Sequence, residues 1–538
     1  MSIFKPSGEP VQADGVDAPP GEIETVAAAH GFASILFEGS SEVHISTVEP
    51  DYFRDLNLDQ ILAGLASGRE DYKLSPFFYQ TLHDVSAVEY RHDVLRDLQR
   101  SEIADCVRTF AGGMGTMRKQ LALVKKLRDP FQRELWFMSA VHVYCRAVRA
   151  FADALAKAPP RSKGLTRLLG YLATYTESES FVGLEEETTE LERELAELRY
   201  AVLLKGLRVT VRPYDDESDL TSLVEETFAK FRQRSVKSYL ATFPTQLATD
   251  PVEQRILALV AALHAELFQR VGNYVTRQRG YLDAVIGRFD REVQFYLGYL
   301  EYIEPLQAVG LPFSYPSVTN ERKRIRAKGS FDLALAHKLV GTSEAVVCND
   351  VELDGSERII VVTGPNQGGK TTFARMFGQL HHLAALGLPV PGADSELFLP
   401  DRMFTHFERE EDLATLRGKF EDELVRLHEI LSAATGNSVL IMNESFNSTT
   451  LRDALWVGER VIDEIVDREM ICLCVTFIDE LASLAPSIVS MMSMVDPTDP
   501  TVRTFSVVRK PADGLAYAVA LAQKHGVSYE QLKEQLTR

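Results

Sequence analysis

Gly364, four intervening residues, Gly369, Lys370 and Thr371 set a glycine-bounded turn directly before a cation and a hydroxyl. The pattern G-x-x-x-x-G-K-[ST] is one whose backbone N–H groups cradle the phosphates of a nucleoside triphosphate at a helix N-terminus. The cradle would run through Gly364, Pro365, Asn366, Gln367, Gly368, Gly369, Lys370, Thr371 and Thr372. Lys370 would reach the β- and γ-phosphates, and Thr371 would ligate Mg²⁺. Further on, "NSVLIMNESFNSTT" ends an apolar run with Asn443 and Glu444. That is where a phosphate-loop protein holds the water shell of the metal and orients the attacking water. Glu444 has the type for a general base, with Lys370 beside it as the other catalytic group. Asn443 is a neutral stand-in that would act on the metal through water.

These groups need a strand that delivers the turn and a helix that receives it. "RIIVV" before Gly364 is a continuous apolar run suited to a buried parallel strand, and "TTFARMFGQLHHLAALG" after it has helical spacing. Over residues 331–538, "RIIVV", "SVLIM", "MICLCVTF" and "VRTFSVV" alternate with helical text, which predicts a mostly parallel sheet with helices on both faces. Residues 51–330 read as helical, opening on "PDYFRDLNLDQILAGLAS". Apolar positions from Ile256 to Ile303 hold a three-and-four spacing from Val252 to Glu304, predicting a helix of about 75 Å if unbroken. Gly272, Gly280 and Gly287 could bend it, so two stacked helices are the alternative. "LLKGLRVTVRPYDDESD" interrupts the helices and predicts a strand-containing tip at about 198–240. Residues 1–50 form a tail and short extension. The fold class expected is α plus α/β, multidomain: a long helical module followed by an α/β ATPase domain, the helical module being a lever or clamp by the family resemblance given below.

Composition narrows the class. Of 538 residues, 45% are hydrophobic and 25% charged, which is ordinary for globular domains and excludes a disordered chain. The five cysteines form no C-x-x-C pair, which points to reduced thiols. Neither a signal-type apolar core nor a membrane-length run is found, so a cytoplasmic protein without a membrane partner is expected. A net charge of −19 excludes a surface that is basic throughout. It leaves local tracks: Arg322, Lys323, Arg324 and Arg326 in one segment, and Lys230, Arg232 and Arg234 in another. Both are candidate DNA contacts, with an ordinary solvated face as the other reading.

The phrase "TGPNQGGKTT" resembles the T-G-P-N-M-G-G-K-S-T of the MutS family of DNA mismatch-repair ATPases. "MFTHFEREEDLATLRGKFEDELVRLHEIL" is similar to that family's I-F-T-R-I-G-A-x-D-D-L and S-T-F-M-x-E-M, sharing Phe404, Thr405, Asp412, Leu413, Phe420 and Glu423. "TFIDEL" looks like T-H-Y-x-E-L, and "GLAYAVALAQKHGV" like the closing Y-G-x-x-V-A-x-x-A-G. The likeness runs from about Pro50 to the C-terminus. It implies a P-loop ATPase domain of the ABC type, ATP and Mg²⁺ as cofactors, and a homodimer through the ATPase domains with a helical dimerisation element at "AYAVALAQKHGVSYEQLKEQL". It also implies duplex or branched DNA as the partner, embraced by helical arms that ATP opens or closes.

Departures from the family pattern qualify this. Asn443 replaces an aspartate; Phe446, Asn447 and Ser448 replace a glycine-arginine-glycine turn; Phe477 replaces a histidine. Gly418 stands at a signature serine that reaches a partner's γ-phosphate, and Val346 at an aromatic that stacks on adenine. Slow hydrolysis is the consequence expected. About fifty residues precede the helical module, and "FEGSSE" at Phe37 does not supply a Phe-x-Glu wedge, so direct mismatch reading is not expected. The resulting reading is an ATP-gated dimeric DNA clamp in repair or recombination. Its rivals are a nucleotide-binding clamp with little turnover and a P-loop ATPase acting on protein partners without nucleic acid.

Overall fold

The computed structural model describes residues 32, 34–39, 46–205, 208–215, 251–409, 418–499, 501–512 and 533. Lys230, Arg232 and Arg234, the tail before residue 32, the far part of the tip, Asp412 and Leu413, and nearly all of the C-terminal element lie outside the described residues.

Helices fill the first half: α1 (Leu58–Ala66), α2 (Ser75–Tyr79), α3 (Val85–Leu98), α4 (Ser101–Lys126), α5 (Pro130–Lys157), α6 (Lys163–Thr176) and α7 (Glu179–Glu197). Local chemistry starts several of them. Asp84, Asp129, Ser162 and Ser178 each accept a backbone N–H of the first turn, and Pro130 follows its cap at a position where no N–H is needed. The 26 residues of α4 span about 39 Å. A hairpin follows, β1 (Tyr200–Lys205) paired antiparallel with β2 (Arg208–Pro213), within the segment 198–240. Val211 turns toward the helices, while Arg208, Thr210 and Arg212 face outward and are exposed.

The long periodic stretch is three helices, correcting the expectation of one or two: α8 (Pro251–Leu263), α9 (Ala265–Arg277) and α10 (Ala284–Ala308). His264 breaks the first junction with a non-helical backbone. At the second, Asp283 accepts the N–H groups of Val285 and Ile286 and so starts a new helix. Helix α10 is buried on every side over residues 292–299, which include Val293, Tyr296 and Tyr299, as befits a helix that crosses a core. Gly298 allows that closeness, because a Cβ there would lie 2.6 Å from the carbonyl oxygen of Leu65.

The second half carries β3 (Phe313–Ser314), β4 (Ser317–Thr319), β5 (Ile325–Ser330), α11 (Leu333–Leu339), β6 (Asn349–Leu353), β7 (Ile359–Thr363), α12 (Lys370–Ala385), β8 (Val390–Pro391), β9 (Asp394–Phe398) and β10 (Met403–Phe407). It closes with α13 (Lys419–Ala433), β11 (Val439–Asn443), α14 (Leu451–Asp467), β12 (Ile471–Val475), β13 (Ile488–Val495) and β14 (Arg503–Arg509). Strands β4, β9, β5 and β6 make a four-stranded sheet, so residues 313–330 pair with the later strands and not with the helices before them.

The main sheet has the order β10-β11-β12-β7-β13-β14, parallel except for β14. Its two faces enter two different cores. Ile360 and Val362 of β7, with Ile441 and Leu473, pack with α12 and the helical module. Ile359 and Val361, with Leu440 and Cys472, pack with Leu427 of α13 and with Val461 and Ile465 of α14. Covering both faces is what makes a continuous apolar strand such as "IIVV" stable, each side chain contributing roughly 1.5–3 kcal/mol.

Candidate functional site

At the C-terminal end of β7 the chain turns through Gly364–Gly369 into α12. Gly364, Gln367 and Gly369 have φ of 111°, 60° and 91°, so the turn needs left-handed backbone at three places. Ser493 of β13 forms its back wall. A Cβ on Gly364 would come 2.8 Å from the Ser493 carbonyl oxygen, and one on Gly368 would come 2.1 Å from its Oγ. That Oγ donates to the Gly368 carbonyl at 2.6 Å and fixes the turn.

Lys370 is 4% exposed, with its ammonium inside the turn. It donates to the carbonyls of Gly364 at 2.8 Å and Pro365 at 3.2 Å, and to Asn366 Oδ1 at 3.3 Å. Burial pushes its pKa below the usual lysine value, while the Glu444 carboxylate pulls it back up. The structure therefore brings Lys370 and Glu444 within electrostatic reach of each other. Thr371 and Thr372 are half-buried in the first turn of α12, where helical N–H groups point at an anion.

Asn443 ends β11 in register with Phe407 and Val475. It is 8% exposed, and its Oδ1 is buried without a hydrogen-bond partner among the described residues. An orphaned oxygen here fits a role as acceptor for metal-bound water. Among the described residues no group of three or more His, Cys, Asp or Glu is placed to hold a metal. Glu444 follows, half-buried, its N–H donating to the Val475 carbonyl at 2.9 Å across the sheet.

Two residues beside this site escaped sequence reasoning. Phe505 is 50% exposed, and a Cβ on Gly369 would meet its Cα at 3.5 Å. Its left-handed φ of 58° is held by Asn349, which accepts from the Val507 N–H at 2.7 Å and donates to the Phe505 carbonyl at 3.3 Å. Val346, which replaces the stacking aromatic that the resemblance implies, is half-buried against the core. Ser493, the wall of the turn, was equally unmarked. The signals were an aromatic in a strand that bulges and a serine in an otherwise apolar one.

The face of α12 toward the helical module is bonded to it. Arg375 Nε donates to the Asp55 carbonyl at 3.0 Å, and Gln379 Nε2 donates to the Leu56 carbonyl at 2.9 Å. Tyr52 OH lies 3.3 Å from His382 Nδ1, and Arg91 Nη1 donates to the Leu386 carbonyl at 2.8 Å.

The basic segment Arg322–Arg326 lies elsewhere. Lys323 Nζ donates to the Glu469 carbonyl at 2.8 Å, just before β12 begins, at the end of the strands opposite the glycine turn. Arg324 stands 3.4 Å from Asp354 and 3.5 Å from Glu396, Arg326 pairs with Asp394, and Arg322 is exposed. Phe477 is 49% exposed after β12, and Gly418 caps α13 with open space where a Cβ would stand. No helix among the described residues is long and apolar enough to cross a membrane.

Comparison with known proteins joins these features. A family profile described as MutS domain V matches residues 360–534, the stretch that holds the glycine turn, Asn443 and Glu444. The DNA mismatch repair protein MutS of Thermotoga petrophila is 24% identical over 511 residues, covering 90% of this chain and 57% of that protein. The protein of the same name from Thermotoga maritima is 25% identical over 282 residues, covering 51% of this chain and 34% of its own length. That of Zymomonas mobilis is 37% identical over 147 residues, covering 27% and 17%. Residues 360–534 thus match MutS domain V, and the chain is similar to MutS proteins over most of its length. It spans less than two thirds of the length of each of these relatives.

Proposed function

We propose that this chain binds ATP and Mg²⁺ in the Gly364–Thr372 turn and uses them to gate its grip on DNA, as a homodimer paired through its ATPase domains in DNA repair or recombination. In this reading the second half is a P-loop ATPase of the ABC type. The observation that carries it is the Lys370 ammonium, buried in a glycine turn and facing Glu444.

The physical logic starts with that ammonium. Burial penalises its charge, so triphosphate oxygens that displace the Gly364 and Pro365 carbonyls supply a full counter-charge in place of two dipoles. The N–H groups of Thr371 and Thr372 receive further oxygens. Mg²⁺ would neutralise charge between the phosphates; Thr371 would hold it directly and Asn443 Oδ1 through water. Glu444 then orients water for attack and accepts its proton. Phe505 offers an aromatic face to the nucleotide beside Gly369.

Gating follows from the bonds between α12 and the helical module. A nucleotide that prefers one setting of α12 shifts Asp55, Leu56 and Tyr52 with it. Helices as long as α4 and α5 convert a small rotation there into a large displacement at the tip, where Arg208 and Arg212 face outward.

A second reading, a nucleotide-binding clamp with little turnover, is favoured by the neutral Asn443 and by the half-exposed Phe477. Binding and turnover assays on Lys370→Met and Glu444→Gln test the proposal. Lys370→Met keeps the buried methylenes and should weaken ATP binding about tenfold to a hundredfold, the worth of a charge-assisted contact. Unchanged affinity in a folded variant would remove the nucleotide site. Glu444→Gln should abolish turnover; a wild-type rate that is already negligible would select the clamp.

A further inference from the structure

Glu444 sits in a turn that ordinary residues avoid. Glu444 and Phe446 have φ of 53° and 67°, left-handed values that a non-glycine side chain adopts only when its surroundings impose them. Phe446 is buried, so its ring cannot be what the solvent side of the turn needs. Something must hold the backbone on either side of it.

Two side chains do so, and they share one anchor. His406 of β10 is 1% exposed, and its Nε2 lies 3.2 Å from the backbone carbonyl of Glu423 in α13. A carbonyl can only accept, so Nε2 carries the proton and Nδ1 is the free lone pair. Ser445 Oγ, 2.8 Å from that Nδ1, therefore donates to it, in preference to the His406 carbonyl at 3.3 Å. Burial keeps this imidazole neutral, pushing its pKa down to about 4. On the other side, Ser448 Oγ donates to Glu423 Oε2 at 3.1 Å. Glu423 is 3% exposed, and its Oε1 is buried without a hydrogen-bond partner among the described residues. One residue of α13 thus grips the turn twice, through its carbonyl by way of His406 and Ser445 and through its carboxylate by way of Ser448.

We infer that His406 and Glu423 are positioning residues that hold Glu444 in its left-handed setting through Ser445 and Ser448, and so set its aim at the attacking water. The inference rests on the reading of Glu444 as general base. Neither residue touches the nucleotide turn, so their effect falls on the chemical step and not on binding. A misplacement of about 1 Å at a reacting group is enough to cost about a hundredfold in rate.

The test compares wild type with Ser448→Ala, Glu423→Ala and Glu423→Gln in the full chain, measuring kcat and the Kd for ATP. Ser448 is exposed, so its alanine variant retains the fold. Ser448→Ala and Glu423→Ala should lower kcat about tenfold or more while Kd stays within about twofold. Glu423→Gln, which keeps an acceptor for Ser448, should retain most of the rate, and the Glu423→Ala/Ser448→Ala double variant should be no slower than the worse single one. Unchanged kcat in Ser448→Ala, or equal loss in the Gln and Ala variants, overturns the inference. A wild type that binds ATP without turnover would defeat the reading of Glu444 instead. Crystal structures of wild type and Ser448→Ala then decide the positioning. Departure of Glu444 from the left-handed region supports it, and an unmoved turn overturns it.

Discussion

Gln379, in the third turn of the helix that begins with Lys370, donates from its amide to the carbonyl of Leu56 at 2.9 Å, tying that helix to the start of the helical module. The same amide reaches Asp332 Oδ1 at 2.8 Å, and its oxygen accepts the Leu333 N–H at 2.7 Å. Gln379 is fully buried, so these bonds have no water to replace them.

Gln379→Ala should therefore be costly in two ways. Orphaning the partners and opening a cavity should destabilise the fold by about 2–4 kcal/mol, read from the urea midpoint. If the helix transmits the nucleotide state, the surviving protein should also lose the effect of ATP on DNA affinity. Normal stability would show that the amide is not the joint.

Acid should weaken the fold around the same helix and beside β10. His381, His382 and His406 are buried, and burial lowers their pKa values to about 4, about 3 and about 4. Each takes up a proton more readily when unfolded, so their contribution is present above the ordinary histidine value and is lost as pH falls through the folded values. His382→Phe fits among Tyr52, Phe53 and Phe78 and removes one such group. The slope of stability against pH between about pH 4 and 6 should become shallower by up to about 1.4 kcal/mol per unit. An identical slope would place the acid sensitivity elsewhere.

Asn443→Asp restores a carboxylate where a buried amide oxygen stands without a partner. The added charge strengthens the hold on Mg²⁺, so half-maximal turnover should need about tenfold less metal. A like charge beside Glu444 would also couple to it and change the pH profile of turnover. No change in either quantity would mean that Asn443 does not face the metal.

How much of this was legible beforehand varied with the kind of signal. "IIVV" announced β7 because a strand covered on both faces is apolar at every position, and the glycines before Lys370 announced the turn because their backbone is unavailable to other residues. Strand β13, "IVSMMSMV", was missed: its buried Ser493 is polar because it bonds the turn, a tertiary reason that no periodicity carries. The stretch from Val252 to Glu304 keeps one apolar rhythm through breaks at His264 and before Asp283, so its period could not show where the helix stops. Phe505 read as an ordinary strand aromatic, since only the Asn349 contact from a distant strand turns it toward Gly369.

Basic residues illustrate the same limit. Arg324 and Arg326 stood close together in sequence, yet they meet Asp354, Glu396 and Asp394. Replacing Arg322, Lys323, Arg324 and Arg326 with alanine should leave the salt dependence of DNA binding unchanged. Replacing Arg208 and Arg212 should reduce its slope by up to about 1.8, the value for two phosphates on duplex. The reverse pattern would move the interface to the other end of the sheet.

The most direct measurement is the Kd for duplex and branched DNA across a salt series, with no nucleotide and with an ATP analogue that resists hydrolysis. The account predicts binding that weakens steeply with salt and an affinity for at least one DNA form that the analogue changes about fivefold or more, the range of an ordinary coupling between sites. Absence of binding at low salt, or identical affinities with and without the analogue, would contradict an ATP-gated DNA clamp. The first of those results would favour an ATPase that acts on protein partners.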